Sequence, residues 1–310
     1  MQKTEKNDPK CMILSVDVED YFHVEAFSDI VERSSWDTYP SRVVSNTHRI
    51  LDLLDECKVK GTFFILGWVA ERYPSLVREI VARGHEPACH SYWHRLIYKL
   101  TPQEFREDTI RAKNTIEQAA GRRINGYRAP SYSITRISLW AFDILAENGF
   151  TYDSSIFPIR HDIYGIPEAS RVPSRYVTPS GPIVEYPLPT FQFMGNLNFP
   201  VGGGGYLRIF PFWYTLLGLK RCREDGLAVV VYIHPWEVDP EQPRLPGRLT
   251  SRLRHYTNLG KTSTRLRKLF QLGPFSSFEQ SGLLNLPVEP IWNGELDGSG
   301  AVPRESLGRT

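Results

Sequence analysis

Short apolar segments alternate with amphipathic segments along most of the chain, and this alternation restricts the fold more than any other feature of the sequence. The short segments favour strands, and the amphipathic segments carry apolar residues at helical spacing. Strands are predicted over 12–18, 61–66, 86–90, 124–129, 150–153, 183–188 and 227–233. Helices are predicted over 42–60, 68–83, 102–120, 135–148, 207–225 and 263–272. Such an order typically folds into a parallel sheet covered by helices, so we expect an α/β fold, a distorted (β/α) barrel of about seven units. No G-x-G-x-x-G pattern follows the first strand, which disfavours an open dinucleotide-binding sheet.

The alternating part occupies residues 12–272 and is predicted to be one domain. The polar segment 1–11 precedes it as a tail, and residues 273–310 lack periodicity and are expected to form a wrapping segment or a tail. Within the domain, residues 156–205 are rich in proline, glycine and aromatic residues. This composition predicts long loops, for which we hypothesise a role in shaping a substrate site.

Composition and charge exclude several classes of function. The chain has 37 Lys and Arg residues against 35 Asp and Glu residues, a net charge of +2, so its overall charge does not favour a nucleic-acid partner. No apolar run is long enough for a transmembrane helix and no signal peptide is recognisable, so we expect no integral membrane segment and, by default, a cytoplasmic protein. Association with a membrane and export by another route are the alternatives. The four cysteines form no C-x-x-C pair and are predicted to be reduced thiols. The oligomeric state stays open.

Three carboxylates follow the first predicted strand. Asp17, Glu19 and Asp20 stand at the end of an apolar run, with Tyr21 and His23 just beyond. Like charges that are withdrawn from water repel each other, so such a cluster needs a counter-charge or a metal ion unless it belongs to a solvated loop.

Two histidines follow the third predicted strand. His90 and His94 are four residues apart, a spacing that lets two imidazoles share one metal ion on a helical turn. No glutamate follows His90, so this is not the H-E-x-x-H pattern of a metalloprotease. Taken alone, the pair is equally compatible with structural histidines.

An arginine and a third histidine follow two further strands. Arg128 precedes Ala129 and Pro130, a rigid loop from which the guanidinium could hold a carboxylate and Ser131 could expose a backbone N–H. His234 follows the apolar run 228–233. A surface arginine and a buried structural histidine are the alternatives for these two positions.

The joint position of the four groups, each at the end of a predicted strand, indicates a common site more strongly than any one group does. In a β/α barrel the active site lies at the carboxyl ends of the strands, where all four would meet. One carboxylate and two histidines make a three-ligand zinc site that leaves a position open for water. A second carboxylate could act as a base, a late histidine as an acid, and an arginine could orient the base, which together suit metal-assisted hydrolysis of an amide or an ester.

This order of motifs resembles the polysaccharide deacetylases of carbohydrate esterase family 4, the NodB-homology group. The resemblance covers about residues 12 to 270. The acidic motif is matched at Asp17 with Glu19 or Asp20, the H-[ST]-x-x-H motif by His90 to His94, the R-x-P motif at Arg128 and Pro130, and the last motif at Ile233 and His234. Asp153 resembles the family's later aspartate motif. The phrases SVDVEDYF, YRAPSYSI, TYDSSIFP and YIHPWE are most similar to the subgroup found with exosortase and exopolysaccharide gene clusters.

The resemblance implies a role for each matched residue. It implies a divalent metal ion, most simply Zn²⁺, held by His90, His94 and one carboxylate of the first motif. Asp17 would be the base, Arg128 would orient it, His234 would be the acid, and Asp153 would tune that acid. The expected substrate is an N-acetylated glycan, and the side chains expected at its site are Tyr21, His23, Trp93, Pro130, Ser131, Ile233 and Trp236.

The acidic motif departs from the family, because an adjacent Asp-Asp pair is replaced by Asp17-Val18-Glu19-Asp20. Side chains alternate along a strand, so Asp17 and Glu19 point the same way and Asp20 points the opposite way unless the chain has already turned. We therefore favour Glu19 as the metal ligand, with Asp20 as its rival. Two other functions stay open: hydrolysis of a small non-sugar amide by a NodB-like amidohydrolase, and glycan binding without catalysis.

Overall fold

The structure is a computed structural model that describes residues 12–192, 197–285 and 290–292. The predicted tail over 1–11, including Cys11, lies outside the described residues, as does most of the segment beyond 285. The other three cysteines, Cys57, Cys89 and Cys222, are free thiols, in agreement with the sequence.

The described residues contain twelve strands. They are β1 (Met12–Val18), β2 (Thr62–Ile65), β3 (Glu86–Cys89), β4 (Gly126–Tyr127), β5 (Tyr152–Asp153), β6 (Ser174–Thr178), β7 (Gly181–Glu185), β8 (Thr190–Gln192), β9 (Asn198–Pro200), β10 (Val230–Ile233), β11 (Phe275–Ser276) and β12 (Pro290–Trp292). Seven of them form a continuous parallel array in the order β10-β1-β2-β3-β4-β5-β7. This array confirms the α/β class. No ladder between described residues joins its two ends, β10 and β7, so the part of the chain that the structure describes does not show closure of the predicted barrel.

Within the described residues, antiparallel pairing is confined to 174–200. β6 and β7 form a hairpin, and β8 pairs with β9 in a separate two-stranded sheet. These strands lie within or next to the segment that the sequence predicts as loops, where only the strand over 183–188 is expected. Their residues show no strong apolar pattern, because β6 and β9 are only partly buried.

Nine α-helices cover the described part of the array. They are α1 (Val43–Cys57), α2 (Gly67–Arg72), α3 (Pro74–Ala82), α4 (Pro102–Ala120), α5 (Ala141–Glu147), α6 (Gly204–Ile209), α7 (Phe212–Glu224), α8 (Leu249–Tyr256) and α9 (Thr262–Phe270). α4 has the predicted bounds because Thr101 and Glu104 form a capping box at its start and Gly121 adopts the left-handed conformation at its end.

Proline explains two differences between the predicted and observed helices. The helix expected over 68–83 is two helices, since Pro74 starts α3 and cannot continue α2. In the same way Pro211 separates α6 from α7 within the helix expected over 207–225. The helix expected over 135–148 is a 3₁₀ turn over Arg136–Ser138 followed by α5, and α8 is not predicted from the sequence.

The core lies between the array and its helices, and β1, β2 and β10 are buried along their whole length. Part of the segment beyond 272 joins it: β11 pairs with β1, and the buried Phe278 packs against Phe64 and Tyr152. None of the described helices combines the length and the apolar character needed to cross a membrane.

Candidate active site

The site lies at the carboxyl ends of neighbouring strands. Asp17 is in β1, His90 follows β3, Arg128 follows β4 and His234 follows β10. The order β10-β1-β2-β3-β4 places these strands side by side, with only β2 between β1 and β3. The parallel topology therefore brings together residues that are far apart in the chain.

Glu19, His90 and His94 form a cluster that could hold a metal ion. One side-chain atom of each lies within 4.8 Å of the others, and all three residues are buried. The His90 Nδ1 donates to the backbone carbonyl of Arg128 at 2.8 Å, which leaves Nε2 of the neutral ring as the lone-pair donor. Burial lowers the pKa of His90 to about 4, so the ring is neutral at pH 7, the form that binds metals.

The contact between Glu19 and His94 supports a shared ion. The Glu19 Oε2 lies 2.8 Å from the His94 Nε2, yet among the described residues this oxygen has no hydrogen-bond partner with acceptable geometry, and the buried His94 Nδ1 has none either. Burial raises the pKa of Glu19, but the charge of His94, with those of His234 and His90, lowers it more, so the net shift keeps Glu19 ionised. Two imidazoles and one carboxylate fit a catalytic zinc site with an open position.

Asp20 is not part of this cluster, which corrects its place among the candidate ligands. Its Oδ2 accepts hydrogen bonds from the Ser41 hydroxyl at 2.7 Å and from the backbone N–H groups of Arg42 and Val43 at 2.8 and 3.0 Å. Its Oδ1 accepts from the backbone N–H of Tyr21. Oδ2 therefore fixes the start of α1, while Oδ1 holds the turn at Tyr21, so both oxygens are used within the protein.

Asp17 is held by Arg128 in the interior. The Arg128 side chain is fully buried and its Nη1 donates to the Asp17 Oδ1 at 2.8 Å and to the Ser15 hydroxyl at 2.7 Å. Its Nε and Nη2 donate to the carbonyl and hydroxyl of Ser154 at 2.9 and 3.0 Å. These bonds fix the guanidinium so that it neutralises and orients the Asp17 carboxylate.

His234 is held by a carboxylate that the sequence analysis missed. The His234 Nδ1 lies 2.5 Å from the Glu237 Oε1, and the Arg208 Nε donates to the Glu237 Oε2 at 2.6 Å. The His234 Nε2 then faces Asp17 and Glu19, at 3.8 and 3.6 Å from their nearest oxygens. Burial lowers the pKa of His234, but the hydrogen bond to Glu237 and the nearby carboxylates raise it to about 9 in total.

Asp153 does not have the predicted place beside His234. It lies in β5, where its Oδ1 accepts from the Ser155 hydroxyl at 2.8 Å and its neighbour across the β5–β7 ladder is Glu185. Burial raises the pKa of Asp153 to about 6, and burial together with Asp153 raises that of Glu185. The partner of His234 is Glu237, whose signal in the sequence is its position three residues after the histidine.

A cavity of about 720 Å³ opens above these groups. Of the residues predicted to line the sugar site, Ser131 and Trp236 line this cavity. The Trp236 Nε1 donates to the Glu19 Oε1 at 3.2 Å. The predicted residues that do not line it are Tyr21, His23, Trp93, Pro130 and Ile233. His23 lines a smaller adjoining cavity of about 240 Å³, which also reaches His94.

Four tyrosines supply most of the aromatic lining, and the sequence analysis named none of them. They are Tyr132, Tyr164, Tyr206 and Tyr232. The glycine run at the start of α6 allows the part of this lining that carries Tyr206 to pack closely against β10. Gly203 has φ 147°, and a Cβ there would lie 1.9 Å from the Tyr232 carbonyl oxygen. Only glycine allows this approach, which seats α6 and thus Arg208 against the site.

Comparison with known proteins agrees with this geometry. The family model described as "Polysaccharide deacetylase" matches residues 31–152. Over residues 31–152 the chain is therefore similar to the polysaccharide deacetylases. The adjoining residues 154–282 match a family described only as a domain of unknown function, DUF3473.

Relatives of this domain carry deacetylase names. A peptidoglycan-N-acetylglucosamine deacetylase of Bacillus cereus is 29% identical over 147 residues, which are 44% of this chain and 52% of that protein. A chitooligosaccharide deacetylase of a Bradyrhizobium strain is 31% identical over 100 residues, 32% of this chain and 43% of that protein. The chain thus spans about half the length of these curated relatives.

Solved structures share the fold of the domain and of the part that follows it. A crystal structure from Mycobacterium smegmatis, of a protein assigned to the polysaccharide deacetylases, has a TM-score of 0.61 with 22% identity, and the match covers 95% of this chain and 98% of that one. This likeness shows the fold: a mixed α/β structure with a parallel sheet and helices.

Proposed function

We propose that this chain is a metal-dependent hydrolase that removes N-acetyl groups from an amino-sugar glycan. The observation that carries the proposal is the meeting of the Glu19–His90–His94 cluster with Asp17 and His234 in one cavity. The deacetylase family of residues 31–152 supports the same reaction class.

The three clustered residues would hold the metal ion, which we propose to be Zn²⁺. When bound, such an ion polarises the acyl oxygen and makes a water molecule acidic enough to act as a nucleophile near neutral pH. The protein's part is to keep the ligands in their binding forms: the His90 Nδ1–H is used by the Arg128 carbonyl, and Glu19 stays ionised.

Asp17 is the proposed base and His234 the proposed acid. Arg128 holds Asp17 by its Oδ1, which leaves Oδ2 on the side of His234 to accept a proton from water. Glu237 holds the Nδ1 of His234 and supports its protonated form, so Nε2 can give a proton to the departing amine. The positive charge of Arg208 compensates the negative charge of Glu237 and keeps this carboxylate ionised. Glu237, and not Asp153, holds the Nδ1 of His234, so we assign Asp153 no role in this proposal.

The aromatic wall of the cavity suits a sugar. Pyranose rings present an apolar face that packs on aromatic side chains, while hydroxyls at the ring edge take hydrogen bonds. The hydroxyls of Tyr164 and Tyr206 are hydrogen-bonded at 2.9 Å, and both residues line the cavity that contains the metal cluster. We propose that the sugar next to the scissile amide packs against this wall.

Metal content tests the ligand set. We expect about one zinc ion per chain in the wild type, as catalytic zinc sites have, and strong loss in His90→Ala, His94→Ala and Glu19→Gln, measured by elemental analysis with circular dichroism to verify folding. Asp20→Asn is the matched control, because it removes a neighbouring charge but keeps an acceptor for α1. Loss of metal in the control but not in Glu19→Gln would reverse the assignment.

Acetate release tests the reaction. The metal-loaded protein should release acetate from N-acetylglucosamine oligosaccharides, and His234→Ala should abolish most of the rate while retaining the metal. A metal-free wild type after reconstitution would refute the hydrolase mechanism. A metal-loaded protein that binds these oligosaccharides without releasing acetate would refute the activity and favour glycan binding alone.

A further inference from the structure

Positive charge is concentrated on the side of the chain that carries α8 and α9. Residues 242–278 contain eight Lys and Arg residues and no Asp or Glu, although the whole chain is nearly neutral. These cations are Arg244, Arg248, Arg252, Arg254, Lys261, Arg265, Arg267 and Lys268. Several of them have partners: Arg248 pairs with Asp29 and Arg267 with Glu56, while Arg244 lies over the ring of Tyr256.

Arg254 differs from its neighbours because it lines the cavity of the proposed active site. α8 forms part of the cavity wall through Thr250, Ser251, Leu253 and Arg254. Arg254 is exposed, and among the described residues its guanidinium takes part in no ion pair and no side-chain hydrogen bond. A cation that faces a substrate cavity without a protein counter-charge is positioned for a negative group on the ligand.

His161 and two tyrosines lie beside Arg254. The ring of His161 stacks on Tyr164 with centroids 3.8 Å apart and planes at 5°, and Tyr164 bonds to Tyr206. Burial lowers the pKa of His161, the exposed Asp162 carboxylate 3.0 Å from its Nδ1 opposes this shift, and the charge of Arg254 adds to it. The His161 Nδ1 accepts from the backbone N–H of Ile163, so in the neutral ring Nε2 carries the proton and can donate.

We propose that the part of the cavity formed by Arg254, His161, Tyr164 and Tyr206 is a subsite for an acidic sugar, a pyranose that bears a carboxylate. This inference rests on the proposed deacetylase function and narrows its substrate to an anionic glycan. A planar guanidinium binds a carboxylate through two parallel N–H bonds, and the adjoining aromatic rings provide a surface for the sugar ring. The same cavity holds the metal cluster, so one glycan could place its N-acetyl group at the cluster and its carboxylate at Arg254.

Two N-acetylated oligosaccharides of equal length test the subsite. Hyaluronan tetrasaccharide carries carboxylates, whereas N,N′,N″,N‴-tetraacetylchitotetraose is neutral. We expect the ratio of kcat/KM for the acidic over the neutral substrate to fall about 10-fold to 100-fold in Arg254→Gln, as the loss of a charged hydrogen-bonded contact implies. Arg254→Lys should restore part of the ratio. Arg252→Gln is the matched control, because it removes the same charge from the same helix outside the cavity lining.

Direct binding separates this inference from the proposed function. Titration calorimetry with hyaluronan tetrasaccharide needs no turnover, and it should show weaker binding in Arg254→Gln than in the wild type and in Arg252→Gln. If neither substrate is hydrolysed but this difference is present, the proposed function fails and the subsite stands. Equal losses in Arg254→Gln and Arg252→Gln, or an unchanged ratio in Arg254→Gln, would overturn the subsite. Stronger binding of uridine diphosphate N-acetylglucosamine than of the uronate would overturn its assignment to a carboxylate.

Discussion

The Asp17–Arg128 pair allows a quantitative test, because both partners are almost completely buried. Arg128→Met removes the cation but keeps a chain of similar length over the ring of Phe64, which lies 4.2 Å from the guanidinium carbon. Asp17 is then left as a buried carboxylate without its partner. Breaking a buried pair in this way costs about 3–5 kcal/mol of the free energy of unfolding. Asp17→Asn leaves the opposite charge, although Arg128 keeps its bonds to Ser15 and Ser154.

The double variant tests whether Asp17 and Arg128 stabilise the fold as a pair. When Asp17→Asn and Arg128→Met are combined, no uncompensated charge of the pair remains. The free energy of unfolding of the double variant should therefore fall by about 2–3 kcal/mol less than the sum of the two single losses. The assay is urea unfolding at pH 7 in the presence of a chelator, followed by tryptophan fluorescence, so that metal binding does not contribute. Additivity of the two single losses within about 0.5 kcal/mol would show that Arg128 and Asp17 stabilise the fold independently and would refute the reasoning.

Three further predictions follow from other parts of the site and core. Glu237→Gln should lower kcat by about 10²-fold or more at unchanged metal content, and the effect should nearly vanish in the His234→Ala background; equal effects in both backgrounds would contradict the positioning role. Buried His85 accepts a hydrogen bond from the backbone N–H of Gly61, and burial lowers the pKa of His85 to about 4. Because the unfolded chain takes up this proton near pH 6.5, the contribution of neutral His85 to stability is present above pH 6.5 and is lost as the pH falls towards 4. The free energy of unfolding, measured with urea at pH 7 and pH 5, should therefore fall less in His85→Asn than in the wild type. Gly203→Ala should destabilise or prevent folding because its Cβ would meet a carbonyl at 1.9 Å, whereas Gly205→Ala, with nothing nearer than 3.8 Å, should be neutral or slightly stabilising; similar melting temperatures for the two would contradict the account.

Local signals in the sequence predict the scaffold well. β1 has its predicted bounds because five of its seven residues are apolar, and α4 has its predicted bounds because both of its ends carry capping residues. The predictions of single helices over 68–83 and 207–225 are wrong, because the apolar spacing continues across Pro74 and Pro211 but the helices do not. The predicted strand over 183–188 overlaps β7, but its hairpin partner β6 is missing from the prediction because the exposed face of β6 removes the apolar signal.

The candidate site is predictable as far as strand ends define it. Asp17, Glu19, His90 and His94 come together because parallel strands end at the same edge of the array. Alternation along the strand favours Glu19 over Asp20, and the structure turns Asp20 towards α1. What the sequence does not reveal depends on tertiary packing.

The second layer of contacts belongs to this hidden part. Arg208 reaches Glu237 from a helix 29 residues earlier, and the placement of that helix depends on the close approach of Gly203 to Tyr232. No short-range pattern reports such a contact. The predicted role of Asp153 fails for the same reason, since its neighbour Glu185 is set by the pairing of β5 with β7.

The place of β10 beside β1 also bears on how such proteins can be divided and recombined. The two matched family regions meet near residue 153, but the metal cluster and base come from before this boundary, while His234, Glu237 and Arg208 come from after it. A fragment that stops at the boundary would leave one edge of β1, the strand of Asp17, unpaired along its ladder with β10. The two regions therefore depend on each other structurally, and a chimera between relatives has to keep β1, which precedes both regions, matched to β10.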